Sequence, residues 1–432
     1  MSWTDVASFS KKWASPEQAM DRIKDGSTIV TAMAASEPQI FYNSPFEAFD
    51  KLKNLTVFCA NPSGLYPIYC DLRFDDFIEI RPMFLTATVA RQALRKNVHY
   101  VPCHLSQWTA NILNTQEIDV FWGSCSLPDQ HGYVSLGPNN CYEYETLRMA
   151  TSVILELNPN IPFTFGMTCV PEHRVDVFLY SEKVLPIYQN EAPDSTDHQI
   201  AALVADLVLD EATLQFGIGS IPNALTQVLR EKKNLGVHTE MINDSILELI
   251  EAGAVTGGAK TIWPEKIIGS FAYGSEKLYQ FINHNPMVEL HPSSVVNDPF
   301  RIGRNHNMVS INSAVEIDIT GQVCSESLGH QEVSGIGGAT DTHVGAQRSN
   351  AGRGIIALRS TTRKGQAKIV SELKPGAKVS VSRNDVDTIV TEYGVARLKG
   401  KTVADRARSL IDIAHPKDRE GLLFDAKKFG YI

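Results

Sequence analysis

Residues 213–241, TLQFGIGSIPNALTQVLREKKNLGVHTEM, constrain the fold of this 432-residue chain more than any other stretch. An apolar run over 213–216 meets a glycine turn at Gly217-Ile218-Gly219-Ser220. Ile221-Pro222 then opens a segment with apolar residues at Ile221, Leu225, Val228 and Leu229. That spacing predicts a strand, a tight loop and a helix, with Pro in the first turn, where its missing N–H has no intrahelical partner anyway. A second short strand is predicted over 235–237, ending in His238-Thr239-Glu240-Met241. Backbone N–H groups at a helix N-terminus attract anions, and ligands of open α/β sheets sit at the carboxyl ends of the strands. The stretch therefore offers an anion cradle with a Glu carboxylate beside it.

The same punctuation occurs near the start of the chain. Ser15-Pro16-Glu17-Gln18 reads as a capping box closed by Gly26, and a strand over 27–32, a small-residue loop and Pro38 follow. Ser44-Pro45-Phe46-Glu47 reads as a second capping box before a strand over 55–60. Further strands are predicted over 77–80, 99–101, 119–122, 151–157 and 162–166, with another beginning at Tyr133 after the turn at 128–132. The polar, proline-bearing run 190–196 reads as a linker. Beyond it a helix over 198–207 leads to Asp210-Glu211-Ala212-Thr213-Leu214, much as the first helix leads to Asp25-Gly26-Ser27-Thr28-Ile29. In both copies a strand, a small-residue loop and a proline follow, at Pro38 and at Pro222. This points to a duplicated α/β unit with mostly parallel strands, although a match this short also arises by chance. Later strands are predicted over 266–271, 308–312, 315–319, 354–358 and 367–370, with a glycine-dense segment at 334–353. An amphipathic helix is predicted over 402–414, and a shorter one after His415-Pro416.

Composition excludes several classes. A formal net charge of −9 argues against a nucleic-acid partner. No apolar run reaches the roughly 20 residues of a membrane span, and the N-terminus carries no signal-peptide pattern. The seven cysteines are scattered with no C-x-x-C pair, so reduced thiols in a cytoplasmic protein are expected.

Gly217-Ile218-Gly219-Ser220-Ile221-Pro222 is not a dinucleotide fingerprint, because Pro222 stands where the third glycine belongs. Gly400-Lys401-Thr402 is not a phosphate loop, since the preceding glycine, Gly394, is one place too far away. No metal-ligand spacing is present, and His238 reads as a hydrogen-bonded structural residue. Ser334-Gly335-Ile336-Gly337-Gly338-Ala339 is a second glycine loop whose backbone can approach a ligand closely. A tight turn is the plainer use of such glycines, and a lone Glu240 is more often a surface or ion-paired residue. Two glycine loops and a strand-end carboxylate together favour a nucleophilic Glu.

The chain resembles the acetyl-CoA hydrolase/transferase family of class I CoA-transferases over nearly its whole length. The resemblance rests on 217–222, His238-Thr239-Glu240-Met241, Val296-Asn297-Asp298-Pro299, Ile311-Asn312-Ser313-Ala314, the run 318–323, the run 334–338 and Thr391-Glu392-Tyr393-Gly394-Val395-Ala396. It implies two similar open α/β domains, 1–189 and 197–432, with the active site between them and the nucleophile in the second. It implies Glu240 as nucleophile, with Gly338 and Asn297 on the thioester oxygen and Glu392 in support. Gly217, Ile218, Gly219, Ser220, Ile221, Asn312, Gly335 and Gly337 are the implied contacts to coenzyme A, which acts as a co-substrate. No tightly bound cofactor and no metal are implied; the partners are an acyl-CoA and a small carboxylate, and the assembly is a homodimer.

Many family members carry Gly-Gly-Gln-x-Asp-Phe at the second glycine loop, whereas this chain has Gly337-Gly338-Ala339-Thr340-Asp341-Thr342. The smaller Ala339 and Thr342 predict an acceptor larger or more polar than acetate, such as butyrate, 4-hydroxybutyrate, succinate or itaconate. Arg348 and Arg353 lie just downstream, where a guanidinium facing inward would pair with a second carboxylate. Facing solvent or the CoA phosphates is the alternative. Two other readings stay open: an acyl-CoA hydrolase, and a catalytically idle CoA-binding protein.

Overall fold

The computed structural model describes residues 9–62, 64–86, 97–188 and 191–432. The chain divides into two compact units, Met1–Tyr188 with Ile268–Val295, and Gln189–Ile267 with Val296–Ile432.

The first unit is built on six parallel strands: β1 (Thr28–Thr31), β2 (Leu55–Cys59), β3 (Ile78–Pro82), β4 (Val120–Cys125), β5 (Ser152–Leu157) and β6 (Val177–Tyr180). Their order is β3-β2-β1-β4-β5-β6. β1 and β2 are buried at every position, as parallel strands covered on both faces must be. Trp122, Phe41, Phe49, Phe74, Tyr42 and Tyr69 fill the core on one side with almost no exposed surface. The capping box at Ser15 forms, with Ser15 Oγ accepting from the Gln18 N–H and the Gln18 side chain accepting from the Ser15 N–H. The one at Ser44 does not: Ser44 Oγ donates to Ile40 O, and only a single 3-10 turn, Phe46–Ala48, follows. Residues 99–101 form no strand; they run extended beside β3, donating from His99 N to Ile80 O and from Val101 N to Pro82 O.

The second unit repeats the layout. The strands that repeat it are β7 (Thr213–Phe216), β8 (Gly236–His238), β9 (Met308–Asn312), β10 (Arg353–Ala357), β11 (Thr388–Thr391) and β12 (Gly394–Arg397). They lie in the order β8-β7-β9-β10-β11-β12, parallel except for the β11–β12 hairpin. In each unit the first strand is central, the second pairs on one side of it and a later strand on the other. That creates a switch point, between β1 and β4 in one unit and between β7 and β9 in the other, where crevices open at the carboxyl edge. Two similar open α/β sheets are thus present.

The helices of eight residues or more described in the second unit are α1 (Ser195–Ala205), α2 (Ser220–Leu229), α3 (Asp244–Glu251), α4 (Ala339–Arg348), α5 (Val403–Ile413) and α6 (Pro416–Lys428). α1 starts inside the expected linker, because Asp194 caps it and Asp197 returns a bond to the Asp194 N–H. The buried Asp197 also takes two bonds from Arg359, at 3.0 and 2.6 Å. Asn190, the first linker residue, lies outside the described residues, as do residues 1–8 of the N-terminus. α4 emerges from the glycine-dense segment, and α6 is longer than the short helix expected there, with Leu422 and Ala426 buried along it.

The division differs from a single cut near residue 190, since Ile268–Val295 belongs to the first unit. Within that unit Val288–Leu290 pairs in parallel with Phe165–Gly166, Asn140 N donates to Ser270 O, and the Tyr279 hydroxyl donates to Pro186 O. Sequence-local periodicity carries no trace of such long-range pairing. Among the described residues no helix is long and apolar enough to cross a membrane.

Candidate active site

All residues described here belong to the second unit. β7 ends at Phe216, and the chain turns through Gly217, Ile218 and Gly219 into α2. Gly219 has φ of +122°, a conformation that residues with a Cβ rarely adopt. No side chain caps α2, so the first N–H groups, at Ser220 and Ile221, face outward at its positive end. Ile218 is exposed. Gly217 O accepts from Asn243 Nδ2 at 3.0 Å, and Asn243 Oδ1 caps α3 by accepting from Ile246 N. The glycine turn is therefore tied to the segment that follows Glu240.

Glu240 stands two residues beyond the end of β8. His238, at the last position of that strand, is buried; its Nε2 lies 2.8 Å from Val296 O and its Nδ1 lies 3.2 Å from Asn305 Nδ2. The imidazole is structural, and its bond to Val296 fixes Asn297 relative to Glu240. Asn297 is fully buried, with its Nδ2 at 3.5 Å from Glu240 Oε2. The Gly338 N–H donates to the same oxygen at 3.0 Å. Gly338 is the N-cap of α4, so the Glu240 carboxylate meets the positive end of that helix. A Cβ built at Gly338 would fall on Asn297 Nδ2 and Glu240 Oε2. Gly338 has φ of −97°, open to any residue, so close approach is what demands glycine there. Gly337, with φ of +54°, makes the left-handed turn that delivers it.

Burial pushes the Glu240 carboxyl up to about 7, and the neighbouring Asp341 carboxylate adds to the rise. The Gly338 N–H and the Asn297 amide oppose it by stabilising the anion. A desolvated, basic carboxylate beside two N–H donors can attack an electrophilic carbon. The same donors can receive the oxygen that becomes negative in that attack.

The other expected residues divide into two groups. Asn312 ends β9 across the switch point, but its amide is engaged inside the protein by Gln215, Ser310 and Thr342. Gly335 lies in the loop that leads to Gly337 and Gly338. Glu392 is not brought to Glu240: it follows β11, four strand spacings from β8, or about 19 Å. There it accepts from the Ser360 N–H at 2.9 Å and from the Ser360 hydroxyl at 2.6 Å. Neither arginine faces the carboxylate. Arg348 ends α4, about 15 Å along the helix from Gly338, and its guanidinium stacks 4.3 Å over Phe300. Arg353 begins β10 in register with Val309, at the amino end of the sheet and not at its carboxyl edge. The Thr342 hydroxyl is turned inward as well, donating to Gly338 O at 3.0 Å. Sequence reading missed Gln215, Ser310 and Asn243, and saw Asp341 as part of a motif without giving it a role. Gln215 and Ser310 were detectable as polar residues inside otherwise apolar strands.

The acetyl-CoA hydrolase/transferase N-terminal domain matches residues 4–188, and the acetyl-CoA hydrolase/transferase C-terminal domain matches residues 274–426. The chain belongs to the acetyl-CoA hydrolase/transferase family. It is similar to 4-hydroxybutyrate coenzyme A transferase of Clostridium kluyveri, 39% identical with 99% of this chain and 100% of the relative covered. It is also similar to succinyl-CoA:cyclohexane-1-carboxylate CoA transferase of Geobacter metallireducens, 34% identical over 98% and 97% of the two chains. Among solved structures, RipA from Yersinia pestis superposes with a TM-score of 0.93 at 32% identity, covering 100% of both chains.

Proposed function

We propose that Glu240 carries CoA between two acids as a covalent thioester. The protein is a carboxylate CoA-transferase: it moves CoA from an acyl-CoA to a small carboxylate. The observation that carries the residue-level reading is the 3.0 Å bond from Gly338 N to Glu240 Oε2, made at a helix N-terminus where only a glycine fits. A Glu240 oxygen attacks the thioester carbonyl, the C–S bond breaks, and a mixed anhydride forms with CoA thiolate as leaving group. The thiolate returns to the Glu240 carbonyl carbon, the donor acid departs as a carboxylate, and a glutamyl-CoA thioester remains. The acceptor carboxylate runs the same steps in reverse. No external base is needed once Glu240 is ionised, because each nucleophile is then an anion.

The turn at 217–219 and the uncapped N-terminus of α2 are the proposed cradle for CoA, held by Asn243. The acceptor is proposed to be an acid of four to five carbons, as the small Ala339 beside Gly338 suggests; itaconate stays in the candidate set. The relatives' names span an aliphatic hydroxy acid and an alicyclic acid, both bulkier than acetate. The proposal places a homodimer in the cytosol, where thiols stay reduced. Initial rates with acyl-CoA and butyrate varied together test the reaction class. Parallel double-reciprocal lines with stoichiometric butyryl-CoA are expected. Free CoA released equally fast without an added acid would instead mark a hydrolase.

A further inference from the structure

We infer that Thr342, Ser310, Gln215 and Asn312 form a hydrogen-bonded tether that positions the Gly338 N–H for catalysis at Glu240. The inference rests on the reading of Glu240 as nucleophile and adds positioning residues to it. Gln215 lies in β7, Ser310 and Asn312 in β9, and Thr342 one turn into α4, so the tether joins two strands across the switch point to the helix that Gly338 caps.

Its bonds have a consistent direction. The Ser310 hydroxyl donates to Gln215 Oε1 at 2.6 Å, and the Gln215 amide returns a long bond to Asn312 Oδ1 at 3.5 Å. Asn312 Nδ2 donates to Ser310 Oγ at 3.0 Å and to Thr342 Oγ1 at 3.2 Å. The Thr342 hydroxyl donates to Gly338 O at 3.0 Å, nearer than its other acceptor, Ala339 O at 3.3 Å, and the Thr342 N–H also binds Gly338 O at 2.9 Å. Gln215, Ser310 and Thr342 are buried, so an opened bond has no water to replace it. A buried polar ring inside a parallel sheet is unfavourable unless every member is satisfied. Its placement directly behind Gly338 gives it a task beyond stability. Gly338 has no side chain to anchor it; its carbonyl, held by Thr342, fixes the Gly338–Ala339 peptide and with it the Gly338 Cα, from which the N–H that reaches Glu240 is set.

The test is Thr342→Val, which removes the hydroxyl and keeps the branched shape. A displaced Gly338 N–H weakens an interaction used in the transition state, so kcat should fall about tenfold or more. KM for acyl-CoA should stay within about twofold, the melting temperature should fall by no more than a few degrees, and Thr342→Ser should recover most of the rate. Adding Ser310→Ala to Thr342→Val should lower kcat little further, since members of one network are not additive. The inference is overturned by an unchanged kcat in folded Thr342→Val, by a loss confined to KM, or by equal loss in Thr342→Ser. Should Thr342→Val fail to fold, Ser310→Ala alone decides: a fall in kcat at constant KM supports the tether, and an unchanged kcat overturns it. Mass analysis of the wild-type enzyme with acyl-CoA separates the two readings. No adduct on Glu240 removes the nucleophile, whereas an adduct together with wild-type kcat in Thr342→Val removes only the tether.

Discussion

Gly338 and Glu240 are separated by 98 positions in the chain, yet the Gly338 N–H donates to Glu240 Oε2 at 3.0 Å, with no room for a methyl group between them. A carboxylate at a strand end is ordinary; one pressed against a bare helix N-terminus, with the buried Asn297 beside it, is arranged for charge that forms during a reaction.

The first consequence concerns size. Gly338→Ala adds a methyl where Asn297 Nδ2 and Glu240 Oε2 already lie, while its backbone conformation suits any residue. Turnover should fall about a hundredfold or more, and the clash with buried Asn297 should cost about 1–3 kcal/mol of stability as well. Steady-state kinetics and a thermal melt on the same preparation check this.

The second concerns pH and rate. Burial and Asp341 raise Glu240 to about 7, and only its ionised form is nucleophilic. The acid limb of kcat/KM should therefore climb about tenfold per pH unit up to about 7 and then level off. A limb centred near 4.5, the ordinary value, would mean the carboxylate is not desolvated in the working enzyme.

The third concerns stability, and its sign is opposite to that of a salt-bridged acid. A carboxyl raised from 4.5 to about 7 by folding favours the folded state fully only below pH 4.5. That contribution is lost as pH rises from 4.5 to 7, because the folded protein must then hold a desolvated charge. Glu240→Gln removes the charge and should stabilise the protein at pH 8 by up to about 3 kcal/mol, a gain that vanishes toward pH 4. Glu156, buried and raised to about 8, titrates in both proteins and cancels in the difference. Denaturant unfolding of both proteins across this range is the measurement.

The fourth concerns the acceptor. Butyrate and 4-hydroxybutyrate should give higher kcat/KM than acetate, measured under one set of conditions. Arg348 stacks on Phe300, away from Glu240, so Arg348→Ala should leave the succinate-to-butyrate ratio within about twofold.

The local signals of this chain were readable wherever backbone chemistry is local. The apolar run 213–216, Gly219 and Pro222 together specify strand, left-handed turn and helix, whereas Asp194, read as part of a linker, is a cap whose partner lies three residues on. The helix at 339–348 was hidden, because Gly338, Gly345 and Gly352 suggest breaks; Gly345 instead lets Ile302 pack against the helix backbone. Glu240 and Gly338 could be singled out from motif, but not their bond, which depends on which strands neighbour each other. Glu392 shares its motif with the family, yet its bonds to Ser360 and its place four strands from β8 follow only from the sheet order. The orientation of Arg348 and Arg353 was left open for a related reason. Sequence distance from Gly338 is short, but a helix and a strand carry both side chains to the far end of the sheet.

The covalent thioester on Glu240 is the central claim, and intact-peptide mass spectrometry tests it most directly. The enzyme is incubated with acyl-CoA in the absence of any acceptor acid, quenched, digested and examined at the peptide that contains Glu240. A mass increase equal to CoA less water on that peptide, discharged by added butyrate and absent from Glu240→Ala, is the result expected. An unmodified peptide in an enzyme that still transfers CoA, or near-normal transfer by Glu240→Ala, would contradict the account.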